Sequence, residues 1–388
     1  MCFVVTDSLS LVLLGDLPRR MVAAGADVFV VSSPGARLDE EAHRQGFTAL
    51  PVTMHRRISP GRDLVSIFRL IRVLRRVRPD LVDAATPKGG LLGMIAARFA
   101  RMPTAIYTMR GLRLETEEGA KRRVLLLCER TAARLATEVL VISPSLRRRV
   151  VELRVAPEAK LRVLGPGSLR GVDLDAFAPT PAVLAAASRH RDELGLDDEA
   201  TVIGFVGRLC PSKGITELLD AFDLLRSRHD RAHLLVIGDI DEAEPIRAVD
   251  QARLATTDRV HHVRWSTAMP AWFATMDFVA LPTKREGFPS VPLEAAGLRK
   301  PCVAFRATGT VDAVVDGQTG VLVAPGDVTA LADAFSRYLD DPGLVHAHGR
   351  AAHERAVAEF SADVTRDRHG KYLLDHLRGG GRAPTENL

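Results

Sequence analysis

The sequence predicts an α/β protein of two tandem units, each a doubly wound parallel sheet with helices on both faces. Three observations predict it. Short apolar runs alternate with helical patterns along the whole chain, and such alternation is the mark of parallel sheets. The alternation breaks at Gly165-Pro166-Gly167 and through Ala178-Pro179-Thr180-Pro181, then restarts. The 388 residues, 46% hydrophobic and 26% charged, suffice for roughly two to three domains.

In the first unit the expected strands are Cys2–Thr6, Asp27–Ser32, Thr48–Val52, Leu81–Ala84, Thr104–Thr108, Glu138–Ile142 and Leu161–Leu164. Helical patterns cover Leu17–Ala24, Arg62–Val77, Gly90–Arg98, Arg122–Ala136 and Ser145–Leu153. Met1-Cys2-Phe3-Val4-Val5 has no basic start before its apolar run, so it reads as a strand and not as a signal peptide. In Arg62–Arg78, Leu64, Ile67, Phe68, Ile71 and Leu74 form an apolar stripe at three-to-four spacing. Arg69, Arg72 and Arg76 form a basic stripe, flanked by Arg75 and Arg78. Such a face holds a protein on anionic lipid at ~1 kcal/mol per cation; an ordinary solvated face is the competing reading.

In the second unit the strands are Thr201–Val206, His233–Ile237, Arg259–Val263, Phe278–Leu281, Cys302–Phe305 and Val321–Val323, with helices Gly214–Arg226, Pro270–Thr275, Ser290–Gly297 and Val328–Leu339. A last helix, Asp363–Leu377, precedes Gly379-Gly380-Gly381-Arg382, where the tail is expected to fray. The expected domains are residues 1–175, 176–362 and a returning segment 363–388. A ligand site is expected at the carboxyl ends of the strands, in a cleft between the units.

No apolar run reaches the ~18–20 residues of a membrane span. The four cysteines, Cys2, Cys128, Cys210 and Cys302, are widely separated, with no Cys-x-x-Cys. They read as buried small hydrophobes in a reducing cytoplasm, not as a disulfide framework or a zinc site. Net charge is +5, unevenly spread. Residues 1–175 hold 29 Lys+Arg against 18 Asp+Glu, and the remainder 24 against 30. A basic first half and an acidic second half suggest different partners, with an anionic surface or substrate for the first.

Two motifs carry chemistry. Val206-Gly207-Arg208-Leu209-Cys210-Pro211-Ser212-Lys213-Gly214 follows a strand and opens a helix. Glycine lets a ligand approach the backbone, a helix start favours anions, and Arg208 and Lys213 add two cations. A diphosphate is the natural guest. Glu286-Gly287-Phe288-Pro289-Ser290-Val291-Pro292-Leu293-Glu294 likewise runs from a strand into a helix. Amides at Gly287, Phe288 and Ser290 are placed to cradle phosphate oxygens, and the glutamates suit sugar hydroxyls.

These motifs resemble the donor site of the retaining GT-B glycosyltransferases of family 4. Arg208 and Lys213 match the family's Gly-Arg-…-Lys-Gly element, and Glu286 and Glu294 its Glu-x7-Glu element. Thr86-Pro87-Lys88-Gly89-Gly90-Leu91-Leu92-Gly93, Tyr107-Thr108-Met109-Arg110-Gly111-Leu112 and Gly165-Pro166-Gly167-Ser168-Leu169-Arg170-Gly171-Val172-Asp173 are closer still to a bacterial branch that builds capsule, O-antigen and lipid-linked oligosaccharides. The first half departs from that branch. The family often has histidines where Asp83 and Ala85 stand, and commonly one at Arg110. The usual Asn before Gly-Val-Asp is Arg170. Asp7-Ser8-Leu9-Ser10 replaces the glycine-rich turn after the first strand, with Gly15 nearby.

The resemblance implies a GT-B fold, two Rossmann-like domains facing across a cleft, with the acceptor in the first and the nucleotide sugar in the second. It implies a hexosyl- or N-acetylhexosaminyltransferase that retains configuration, with a UDP-sugar favoured and GDP second. Arg208, Lys213 and Glu286 would be catalytic. Gly207, Gly287, Phe288, Pro289, Ser290, Val291 and Glu294 would bind donor, and Lys88, Gly89, Arg110 and Gly15 would lie on the acceptor side. The implied partners are the nucleotide sugar, a lipid-linked saccharide and an anionic membrane surface met from the cytoplasm, with no nucleic acid. No metal or other cofactor is expected. Asp239-Ile240-Asp241 spells the metal-binding Asp-x-Asp of the other major glycosyltransferase fold, but at this strand end it reads as a loop of solvated acids. A soluble acceptor such as an antibiotic aglycone is the alternative substrate. A UDP-sugar epimerase of the same fold is the alternative class. A nicotinamide oxidoreductase is disfavoured, because neither unit carries Gly-x-Gly-x-x-Gly after its first strand.

Overall fold

Strands covered on both faces must be apolar at every position, and those of this chain nearly are. The structure, a computed structural model, describes residues 1–55 and 59–379. The expected frayed tail, from Gly380 on, lies outside the described residues. The chain divides into two units, Met1–Arg170 with the segment from Asp363, and Gly171–Ala362.

The first unit holds β1 (Cys2–Val4), β2 (Phe29–Ser32), β3 (Thr48–Pro51), β4 (Leu81–Ala85), β5 (Thr104–Met109), β6 (Glu138–Val141) and β7 (Leu161–Arg162). They pair in parallel in the order β3-β2-β1-β4-β5-β6-β7. The second holds β8 (Thr201–Val206), β9 (Ala232–Ile237), β10 (Val260–Val263), β11 (Phe278–Leu281), β12 (Cys302–Phe305) and β13 (Gly320–Val323), in the parallel order β10-β9-β8-β11-β12-β13. The order reverses direction between β1 and β4, and again between β8 and β11. Those are the switch points where doubly wound sheets open a crevice beyond their carboxyl ends.

Strand alternation sorts the second core into two layers. Phe205, Val236, Ala280 and Val303 pack on one face of the sheet, and Val206, Leu235, Val279 and Cys302 on the other. Cys2, Cys210 and Cys302 are buried as expected, whereas Cys128 is only half-buried.

Several expectations need correction. The breaker string at Ala178–Pro181 is a helix start. Thr180 accepts the Val183 amide through its hydroxyl (3.3 Å), and Pro181 opens the helix Pro181–Glu193. The helix Pro342–Phe360 has no counterpart in the sequence reading, because its buried face is His348, Gly349, Ala352, Ala356 and Phe360, too small and polar to show as a stripe. Helix Pro60–Val77 is rotated from the expected stripe. It buries Ser66, Leu70 and Leu74, while Leu64 and Phe68 stand 55% and 64% exposed. The Ser66 hydroxyl, bonded to the carbonyls of Thr53 (2.7 Å) and Arg62 (2.9 Å), lets a polar residue face inward.

Candidate active site

The β8 and β11 loops meet at the second unit's switch point. After β8 the chain makes a tight turn, Pro211–Lys213, and enters the helix Ile215–Arg226 through Gly214. Gly214 has φ +73°, and a Cβ there would lie 2.0 Å from the Pro282 carbonyl oxygen, so glycine alone fits. That close approach sets the two loops side by side. The Lys284 amide donates to Ser212 O (2.9 Å), and the Thr283 hydroxyl reaches the same oxygen (3.2 Å). Lys213 Nζ then donates to Glu286 Oε1. The two motifs, with Lys213 and Glu286 73 residues apart in sequence, are thus brought together. Their ion pair is partly exposed, with side chains 22% and 16% accessible.

Gly207 has φ +154°, with only the Phe205 ring within 4 Å of where a Cβ would stand. The Cα face there has room, although the amide itself is bonded to Ile237 O (3.0 Å). Arg208 is exposed and donates to Asp241. Asp241, expected to be solvated, is half-buried, and its other oxygen accepts the Ala243 amide (2.9 Å). Asp239 pairs with Arg264 (2.9 Å). Among the described residues no group of three or more His, Cys, Asp and Glu is placed to hold a metal.

Gly287 and Pro289 are buried, and Ser290, Val291 and Glu294 half-buried. Glu294 falls in the first turn of the helix Val291–Gly297. The Phe288 ring packs on Phe360 (centroids 5.1 Å apart), so its side chain serves the core and leaves only its backbone to a ligand.

At the first unit's switch point the groups are tied down more deeply. Asp7 caps a short helical turn, Ser8–Leu13, in place of a glycine-rich loop. Thr86, just past β4, has φ +69°, an uncommon strain for a β-branched residue. Its hydroxyl meets that of Thr6 (2.7 Å), and the Gly89 amide donates to both (3.0 and 3.2 Å). Lys88 is held by Asp63 (2.6 Å). Gly15, at φ +58°, lies against the Arg366 guanidinium of the returning helix. Arg110 follows β5 and donates to Leu13 O (2.9 Å).

Behind Arg110 lies a buried polar layer. The Thr108 hydroxyl donates to Asp83 (2.6 Å). Burial raises the Asp83 carboxyl to about 6, against the pull of Thr108 and Arg110. Burial lowers Arg110 to about 10, and Asp83 opposes that. His369, from the returning helix, is driven down to about 3 by burial and by Arg110, and is therefore neutral. The same helix is fixed by Arg366–Asp16 (3.1 Å) and by the buried pair His376–Glu138 (3.1 Å). A cavity of about 370 Å³ lined by Arg75, Arg78 and Arg101 lies where β4 and β5 begin, the opposite edge, and is no part of either switch point.

Comparison with known proteins gives the family. Residues 13–167 match the model "Glycosyl transferase 4-like domain", and residues 200–341 match "Glycosyl transferases group 1". The capsular polysaccharide biosynthesis glycosyltransferase CapM of Staphylococcus aureus is 34% identical over 338 residues, 87% of either chain. The chain belongs to this glycosyltransferase family. An Escherichia coli relative of the glycosyltransferase, UDP-Gal:alpha-D-GlcNAc-diphosphoundecaprenol alpha-1,3-galactosyltransferase, is 26% identical over 75% of this chain and 74% of its own. Among solved structures, Anabaena HepE in complex with UDP-glucose superposes with a TM-score of 0.78 at 21% identity, over 96% of this chain and 99% of its own. That likeness supports the GT-B fold. No helix of the described glycosyltransferase is long and apolar enough to cross a membrane.

Sequence reasoning missed the partners of the key cations, Asp241 for Arg208 and Asp63 for Lys88. Asp241 was visible only as part of an Asp-x-Asp string. Asp63 carried no signal, because its pairing joins two helix starts 25 residues apart.

Proposed function

We propose that this glycosyltransferase retains configuration and takes its sugar from a nucleoside-diphosphate sugar, UDP before GDP, bound by the second unit. The observation that carries the reading is the Lys213–Glu286 pair, which joins both motifs at the β8/β11 switch point. Lys213 and Arg208 face a diphosphate whose charge grows as it leaves, so their stabilisation is largest in the transition state. Glu286 takes the hexose hydroxyls and Glu294 those of ribose. The backbone at Gly207, Gly287, Phe288, Pro289, Ser290 and Val291 lines the donor. The bond from the anomeric carbon to the diphosphate oxygen breaks, and the acceptor hydroxyl oxygen bonds that carbon on the same face. The acceptor proton passes to the departing phosphate oxygen. No metal ion is needed, since the two cations supply the charge.

The acceptor is a lipid-linked saccharide of a polysaccharide or glycoconjugate, reached from the cytoplasmic face. Its support is twofold: the printed roles of CapM and of the undecaprenol-linked galactosyltransferase, and the face of helix Pro60–Val77. There Leu64, Val65 and Phe68 stand exposed beside Arg69, Arg72 and Arg76, an apolar and basic surface of the kind that lies on anionic lipid. Gly15, Lys88, Gly89 and Arg110 belong to the acceptor side.

The test is turnover. UDP-sugars and GDP-sugars are offered in EDTA with a polyprenyl-diphosphate saccharide, and free nucleotide and the anomer of the product are read. UDP release that depends on the acceptor, with an axial donor giving an axial product, is expected. Transfer that requires added magnesium, or that inverts the anomer, contradicts the proposal. Conversion of the UDP-sugar with no acceptor present points to an epimerase instead.

A further inference from the structure

We infer that Asp241 is the positioning residue for Arg208: the backbone fixes its carboxylate, which sets the direction in which the guanidinium faces the diphosphate. The inference rests on the proposed role of Arg208 in the donor site.

The loop after β9 is zipped to the loop after β8 beyond the ends of both strands. The Gly207 amide donates to Ile237 O (3.0 Å), Leu209 to Asp239 O (2.9 Å), and Asp241 back to Leu209 O (3.1 Å), so that Leu209 and Ile240 form one further parallel bridge. A Cβ on Gly238 would fall 1.9 Å from Gly207 O, which shows how closely the loops run. This places Asp241 beside Arg208 in a register the backbone dictates.

The pair is asymmetric. The Asp241 side chain is 14% exposed and that of Arg208 67%. One carboxylate oxygen accepts the Ala243 amide (2.9 Å) and the other accepts Arg208 Nη1. The aspartate is thus the anchor and the arginine the movable arm. A free arginine on a surface loses ~2 kcal/mol of rotamer entropy when it is ordered, and an anchor removes that loss beforehand. A guanidinium has five N–H donors in a planar fork. Asp241 engages one end of it, so the rest of the fork can reach phosphate oxygens while the anchor stays in place. Burial opposes the charged carboxylate, but the Ala243 amide and Arg208 outweigh it, and its pKa lies below the ordinary value. The anchor is therefore charged throughout the neutral range.

The test is a double-mutant cycle on the full chain, with kcat and donor KM measured separately and folding checked by circular dichroism. Arg208→Ala first tests the underlying reading: if it keeps wild-type turnover, Arg208 has no donor role and the inference falls with it. Given a slow Arg208→Ala, Asp241→Asn is expected to lower kcat about tenfold with donor KM within about twofold, and to cost nothing further in the Arg208→Ala background. Asp239→Asn, in the same loop but paired to an arginine outside the motif, is expected to keep turnover. Losses that multiply in the double variant, or a lower donor KM in Asp241→Asn, the mark of a competitor for Arg208, overturn the inference. If Asp241→Asn does not fold, Asp241→Glu carries the test. It keeps the charge and shifts the anchor by one methylene, and is expected to lower kcat severalfold; wild-type kcat there overturns the inference.

Discussion

Both units run their strands in one order, with the same switch point, yet they place charge there differently. In the second unit the cations lie at the rim: Arg208 is two-thirds exposed and Lys213 about one-fifth, each on a carboxylate. In the first unit Asp83 and His369 are each 2% exposed, and Arg110, hydrogen-bonded to Leu13 O, acts on both through its charge. An exposed ion pair contributes little net energy and can be exchanged for another anion at small cost. A buried charge that loses its partner costs several kcal/mol. One topology therefore yields an accessible rim, where the proposed diphosphate can take the place of Glu286 on Lys213 and meets Arg208 without displacing Asp241, and a layer that is buried.

The largest effect should come from the rim. Lys213→Ala and Arg208→Ala are each expected to lower kcat more than about tenfold, because each faces charge that develops on the leaving group. Glu286→Ala should be comparably severe, whereas Glu294→Ala should act mainly on donor KM. Steady-state kinetics on folded variants decides. Wild-type turnover in all four would remove the contrast between the units.

Next is the layer. Arg110→Ala removes the hydrogen bond to Leu13 O and the guanidinium whose charge acts on Asp83, and should lower unfolding free energy by about 1–3 kcal/mol, while the affinity for UDP stays unchanged. Chemical denaturation with a parallel UDP titration checks both. A loss of UDP affinity without a loss of stability would move Arg110 from fold to donor site.

A smaller effect is in pH. An unfolded Asp titrates near ~3.9, and burial raises Asp83 to about 6. A raised carboxyl favours the folded state while it stays protonated. That stability is full below the unfolded pKa and is lost as pH rises through the folded one. The melting temperature of Asp83→Asn minus that of wild type should therefore climb between about pH 4 and pH 6, then level. Glu129, raised by burial to about 7 despite the Tyr107 hydroxyl on its Oε2 (2.7 Å), should behave alike in Glu129→Gln over a window reaching about pH 7. A difference that stays flat with pH would show that these carboxyls titrate normally.

The smallest effect on chemistry is expected from helix Pro60–Val77. Reversing Arg69, Arg72 and Arg76 should abolish sedimentation with anionic vesicles and leave UDP affinity intact. About 0.5 M salt should release the wild type, since screening shortens the reach of surface charge to a few Å. Equal partition onto neutral vesicles would contradict an electrostatic dock. No binding to either kind would favour a soluble acceptor.

The sequence made the strands legible because doubly covered strands are apolar throughout and bounded by breakers. It also marked two strand-end motifs of glycine and charge, which the fold brings together through Lys213 and Glu286. What it hid has physical causes. The rotation of helix Pro60–Val77 depends on the inward-facing Ser66, which no hydrophobic count predicts. The helix Pro342–Phe360 buries small residues. Asp241 and Asp63 act through pairings set by register and helix packing, and spacing along the chain does not report those. Asp83 and Arg110 stand out in sequence as departures from the family pattern, but only the fold shows them packed into a layer with His369.

The central claim, that the rim of the second unit holds a nucleoside diphosphate through Lys213 and Arg208, is tested most directly by titration calorimetry of UDP in EDTA. The account predicts one saturable site on the wild type, tighter for UDP than for GDP or ADP. It predicts binding at least about tenfold weaker to Lys213→Ala and to Arg208→Ala, each with an unchanged circular dichroism spectrum. Equal affinity in all three proteins, or no heat with any nucleoside diphosphate, would contradict it.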